Sequence, residues 1–166
     1  MTIEHIPIQE IHCSVLDFPE YCSGFLQLNE RKLLMTSEIA QTVIATAQAK
    51  AAEGGFAVSI TVLDTTAHLV AFHRMDGAML GPIDVSQKKA RTAALFQTDS
   101  LQLGQAAQPG GAIYTLENTN GGLISFGGGV VLRDKNGAFV GAVGVAGATV
   151  EADEDIAQAA AAALKA

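Results

Sequence analysis

The run His73-Arg74-Met75-Asp76-Gly77 gathers most of the side chains in this 166-residue chain that can do chemistry. An imidazole titrates near neutral pH and ligates metals, so His73 is a candidate acid, base or axial ligand. The guanidinium of Arg74 matches a carboxylate in a two-pronged hydrogen bond. With Met75 as a soft donor and Asp76 as a carboxylate, the four residues can serve a pocket mouth, with His73 and Arg74 in the catalytic roles if there is catalysis. A plainer reading stands beside it. Arg74 pairs with Asp76 or another carboxylate to brace a loop, and His73 packs between Ala71 and Met75. Lys89 is a further candidate, a cation near the outer face of a helix that can steer a carboxylate; most helix lysines are simply solvated. Gly127 and Gly128, in the run Gly127-Gly-Gly129, can let a ligand approach the backbone, or serve a tight strand entry or a bulge. The run fits neither a dinucleotide fingerprint nor a P-loop. The chain shows no Ser-His-Asp elbow and no zinc spacing, so no metal residues are assigned. His68 starts a strand and is expected at the surface, and His5 and His12 lie in an N-terminal arm.

These residues need elements to position them. Ile60-Thr-Val-Leu63, the turn Asp64-Thr-Thr-Ala67 and the return from Leu69 to Met75 read as a hairpin of β-branched and apolar alternation. His73 and Arg74 are neighbours on that return strand, so they point to opposite faces unless the chain leaves the sheet there. The strand is expected to end within two residues of Arg74, with at least one of the pair lining a concave pocket. A helix with Thr36 as N-cap runs through Ile39, Val43, Ile44, Ala47 and Ala51 to Gly54-Gly55. A second opens at Gly81-Pro82 and carries a narrow face of Ser86, Ala90, Ala93 and Ala94. Lys88, Lys89 and Arg91 form a basic cluster on it. Thr98-Asp-Ser100 can cap a short helix, and Ala112 to Leu116 is a short strand candidate. A second hairpin spans Gly129 to Val145 around Asp134-Lys-Asn-Gly137, since Asn-Gly is a strong hairpin signal. A last, alanine-rich helix starts at Thr149.

Hydrophobic residues make up 49% of the chain, with 5% aromatics and no Trp, so the core must be aliphatic. The length suits one domain. Residues 1–32 read as an arm that packs on the domain 33–166 or on a neighbouring subunit. The net charge of −7 argues against nucleic acid or an anionic membrane surface as partner. No apolar run approaches the roughly 20 residues of a membrane span. The first residues lack the pattern of a signal peptide, so the expected compartment is the cytoplasm, and Cys13 and Cys22 are expected as free thiols.

Helix, hairpin, helix, loops, hairpin, helix makes an α+β fold, because neither Asp-turn connection is long enough for a parallel crossover. In this order the chain resembles the GlcG/HbpS-like family, which also covers the C-terminal domain of PduO-type proteins. The resemblance runs from about residue 36 to 163. It rests on Ile60-Thr-Val-Leu-Asp64, Arg74-Met-Asp-Gly-Ala78, Lys89-Ala-x-Thr-Ala93, Gly127-Gly-Gly with Asp134-x-x-Gly137, and Val140-Gly-Ala-Val-Gly-Val145 followed by Glu151-x-Asp153. It implies a profilin-like antiparallel sheet of about five strands with packed helices, and assembly into homo-oligomers, as dimers or larger rings. It further implies haem binding or degradation, or an accessory role in glycolate or corrinoid metabolism. The chain departs from the family pattern at Ala67, where a Gly is usual, at Leu132, where a Pro is usual, and at Ala146-Gly-Ala148, which replaces Ser-Gly-Gly.

Three functions follow as alternatives. The first is a binder of a flat anionic small molecule, haem foremost, with His73 or Met75 on the iron and basic groups on the propionates. The second is an enzyme on a small carboxylate metabolite, with Arg74 holding it and His73 moving a proton. The third is a non-catalytic accessory subunit.

Overall fold

The computed structural model describes residues 34–165, and the arm, with His5, His12, Cys13 and Cys22, lies outside the described residues. The elements are α1 (Ser37–Glu53), β1 (Ser59–Leu63), β2 (Leu69–Arg74), α2 (Gly81–Phe96), α3 (Ser100–Ala106), a 3-10 turn (Leu116–Asn118), β3 (Gly129–Arg133), β4 (Phe139–Ala146) and α4 (Val150–Ala162). The four strands form one antiparallel sheet in the order β2-β1-β4-β3. Each hairpin supplies two strands, and the hairpins meet through β1 and β4.

Helices cover both faces of this sheet. On one face α1 and α4 enclose the larger core of Val43, Ile44, Ile60, Val62, Val143 and Ile156, among others. On the other, α2 packs with Ala90, Ala93 and Ala94 against Leu63, Val131 and Ala142. The small-residue face of α2 has the close approach its composition suggested. Gly129 and Gly144 are register partners beneath it, and a Cβ on either would collide with α2 backbone, at Lys89 and Ser86 respectively.

Caps behave as their residue types dictate. Thr36 Oγ1 accepts from Ile39 N–H at 3.2 Å, and Thr149 Oγ1 from Ala152 N–H at 3.2 Å. The two hairpin turns share one hydrogen-bond scheme. Asp64 Oδ1 accepts from the N–H groups of Thr66 and His68, and Asp134 Oδ1 from those of Asn136 and Ala138. The fourth turn residue is left-handed in both, Ala67 at φ 62° and Gly137 at φ 81°. Partial burial pushes the Asp64 carboxyl up, but the hydrogen bonds from Thr66 and His68 outweigh it and hold the group below its ordinary 3.8.

The strand expected at Ala112 to Leu116 is instead a series of turns leading into the 3-10 turn. Pro109-Gly110-Gly111 folds the chain back on the end of α3, where Ile113 N–H reaches Ala106 O. Tyr114 and Leu116 then donate to carbonyls three residues back, which leaves no ladder to join. The described residues therefore hold four strands, where the resemblance implied about five.

The two edges of the sheet differ. On β3, Val131 N–H donates to Asp99 Oδ1 at 2.9 Å and Gly129 N–H to Ser100 Oγ at 2.9 Å, so side chains close that edge. On β2, Met75 N–H bonds Val58 O, and by alternation Phe72 and Arg74 turn their N–H and C=O groups outward. Among the described residues nothing pairs with them.

Candidate functional site

Polar side chains are most densely interlocked under α2. Lys89 is fully buried, not on the outer face of its helix as expected. Its Nζ donates to Asp153 Oδ2 at 2.8 Å and to Val145 O at 2.9 Å, and lies 4.8 Å from the centre of the Phe126 ring. Asp153, buried on α4, accepts Ala148 N–H at 2.9 Å with its other oxygen. Burial pushes the Lys89 ammonium below its ordinary 10.5, while the hydrogen bond and charge of Asp153 and the charge of Glu154 push it back up. An ammonium so engaged has no lone pair to offer a substrate. The basic cluster is thus split: Lys89 is inside, Lys88 pairs with Asp84 at 2.8 Å, and Arg91 is exposed.

The glycine run is built into this cluster. Gly128 has φ 109°, and a Cβ there would lie 2.8 Å from Lys89 Nζ and 2.6 Å from Val145 O. Its N–H donates to Glu154 Oε2 at 2.6 Å. A Cβ on Gly127 would press on Glu154 and Val150. What Gly128 approaches is the protein's own buried ion pair, and what Gly127 approaches is the start of α4 at Val150 and Glu154.

The run from His73 to Asp76 lies elsewhere, along β2. The strand ends at Arg74, as its polar exit suggested. His73 is the register partner of Ile60 and faces α1, where its Nε2 is 2.8 Å from Gln48 Nε2. With the carboxamide donating, that nitrogen accepts and the ring proton sits on Nδ1. Arg74 faces the other way, with Ser59. It makes no ion pair among the described residues, so the Arg74–Asp76 brace is not formed. Met75 packs against the larger core, and Asp76 is exposed.

Among the clefts on the surface of the described residues are three of note. One of about 400 Å³, between α3 and the segment Ala107–Phe126, is lined by Leu101, Tyr114, Glu117 and Phe126 among others. The second, about 370 Å³, lies between the end of α1 and α4, and the third, about 200 Å³, beside β3. None of His73, Arg74, Met75, Asp76, Lys89, Gly127 or Gly128 lines any of the three. The structure brings Lys89, Gly127 and Gly128 together and keeps them apart from the His73–Asp76 group. Sequence reasoning placed neither Asp153 nor Phe126 among the site residues, reading Asp153 only as part of the family motif Glu151-x-Asp153. Asp153 had a signal, since it stands three, four and seven residues before the buried Ile156, Ala157 and Ala160 of α4.

The family model described as haem degrading protein HbpS-like matches residues 35–162. The chain belongs to this HbpS-like family. An uncharacterized 15.0 kDa protein from the dhaT-dhaS intergenic region of Citrobacter freundii is 37% identical over 129 residues, which cover 76% of this chain and 86% of that protein. Among solved structures, the Klebsiella pneumoniae protein ORFY superposes with a TM-score of 0.77 at 34% identity, covering 83% of this chain and 96% of ORFY. A complex of PduOC with haem gives a TM-score of 0.74 at 32% identity, covering 79% of this chain and 95% of that one.

Proposed function

We propose that this protein binds haem or a closely similar anionic cofactor. The likeness to the PduOC complex with haem, over 79% of this chain, is the observation that carries the reading. His73 is the residue we assign to the iron. It is half-buried, its donor type is right, and among the described residues its Nε2 lone pair is held by the neutral Gln48 carboxamide alone. Arg74 is assigned to a propionate, and Asp76 to the rim of the site. Met75 is already packed in the core and Lys89 is engaged by Asp153, so neither serves as a first contact. The fit on a single described chain is one of donor type only. No one of the three clefts joins an imidazole, an apolar slot and a cation.

The same reading includes a profilin-like relation of sheet and helices, an arm at residues 1–32 ahead of one domain, a cytoplasmic location and a homo-oligomer. Among the described residues no helix is long and apolar enough to cross a membrane. The alternative, an enzyme using His73 and Arg74 on one small carboxylate, is less well served, because the two side chains leave opposite faces of β2.

Haemin titrated into the native chain is expected to give a saturable Soret band. His73→Ala is expected to shift or abolish the band and leave the melting temperature nearly unchanged, since the residue is only half-buried. A His73→Ala variant with an unaltered band removes the iron assignment, and a native chain without a band removes the haem reading.

A further inference from the structure

From Ala107 to Gly128 the chain has no strand, and no helix besides the 3-10 turn. Irregular stretches longer than about 15 residues are uncommon in a compact domain, and a packed one most often carries function. This one is packed. Ala107, Leu116 and Leu123 form a small core of their own, with Leu103 and Ile113 against it. Its contact with α3 is close, since a Cβ on Gly104 would collide with Ser125 O. Together α3 and this segment wall the cleft of about 400 Å³, a size that suits a small organic ligand.

The apolar side of the cleft is made by Leu101, Tyr114 and Phe126, all of them exposed. Scattered singly such residues would mean little, but gathered in one concave place they form a surface that gains from being covered. The Phe126 wall is held from behind. Lys89 Nζ lies 4.8 Å from the centre of its ring, and Ser100 Oγ donates to Phe126 O at 2.7 Å.

The polar side has one sign. Of the described residues that line the cleft, Glu117 alone is charged at neutral pH. Ser125 donates twice to Glu117 Oε1, from its N–H at 2.9 Å and its Oγ at 2.7 Å. The carboxylate is thus fixed by one oxygen, while Oε2 has no hydrogen-bond or ion-pair partner among the described residues. Lys88 and Lys89, which reach this segment at Gly122 and Phe126, are already paired with Asp84 and Asp153. A carboxylate so placed attracts a cation and repels an anion, and the net charge of −7 acts in the same sense.

We infer that this cleft is a binding site for an organic ammonium ion, a primary amine carried on an apolar body about the size of one ring. Glu117 takes the ammonium in a charge-assisted hydrogen bond. Leu101, Tyr114 and Phe126 enclose the body. The site stands apart from the haem reading, because none of the residues assigned to haem lines it and its carboxylate repels propionates.

Benzylammonium chloride is the probe, with benzyl alcohol and sodium benzoate as neutral and anionic counterparts of similar size. Each is titrated into the full chain at equal ionic strength and followed by calorimetry and ligand-observed NMR. Benzylammonium is expected to bind saturably, and the other two at least about tenfold more weakly, as loss of one charge-assisted hydrogen bond predicts. Glu117→Gln keeps an acceptor for both Ser125 donors. It is therefore expected to melt with the native chain yet to bind benzylammonium about tenfold more weakly. Tyr114→Ala changes an exposed side chain and is expected to fold, with binding weakened about threefold to tenfold by the lost apolar contact. It carries the test should Glu117→Gln fail to fold. The inference is overturned if the native chain does not bind benzylammonium saturably, if benzyl alcohol or benzoate binds as tightly, or if either variant binds benzylammonium as tightly as the native chain.

Discussion

Lys89 shows what a single residue in this sequence reveals and conceals. It stands three residues after Ser86 and four before Ala93, so it falls on the buried face of α2 by spacing alone. Its residue type argued the other way, because lysines are seldom fully buried unless paired. The partner, Asp153, is 64 residues away, and no local pattern connects the two. For the same reason the meaning of Gly128 was not legible: its missing side chain makes room for Lys89 Nζ. The pair gives a direct prediction. Lys89→Met leaves the Asp153 carboxylate buried without its partner and should cost about 3–5 kcal/mol. Lys89→Met combined with Asp153→Leu should recover most of that loss, because apolar replacement of both members of a buried pair is often near neutral. Urea denaturation of the two singles and the double measures the coupling. A double variant as unstable as the sum of the singles would show that the ion pair is not the source of the cost.

Elements were the most legible level, and the hairpins most of all. Asp64 and Asp134 announce their turns because a carboxylate that accepts two backbone N–H groups needs no distant partner. Ala112 to Leu116 misled because a short apolar run carries a strand signal whether or not a neighbouring strand exists to receive it. The two turns differ at their left-handed residue, which permits a reciprocal test. Ala67→Gly should stabilise the chain by about 0.5–1 kcal/mol, as relief of positive-φ strain slightly exceeds the added entropy of glycine. Gly137→Ala should cost a similar amount, with no clash to add since nothing lies within 4 Å of its Cβ position. The same turn sets an acid limb. Because the folded Asp64 carboxyl lies below 3.8, its stabilisation is complete above that pH and is lost as pH falls through the folded value. Asp64→Asn should therefore show a flatter stability profile below pH 3.8 than the native chain. Thermal melts across that range decide both points.

At the scale of the whole molecule, the α+β class followed from hairpin connections alone, while the layering of α1 and α4 against α2 depends on contacts no local pattern encodes. For the assembly, light scattering at micromolar concentration should return a multiple of 17.2 kDa; a mass of 17.2 kDa itself would remove the homo-oligomer from the proposed function. The unequal sheet edges limit what an assembly by strand pairing can be. With Asp99 and Ser100 already bonded to β3, the described sheet has a single vacant valence for another strand, on β2. By strand-to-strand union alone, a unit with one such valence pairs and stops. Union of two copies through β2 uses up both vacancies and caps the product, whereas a sheet open on both sides could add copies without end. For union of that kind, the hydrogen bonds of two side chains on β3 would act as a chain terminator, separating a finite particle from a growing ribbon.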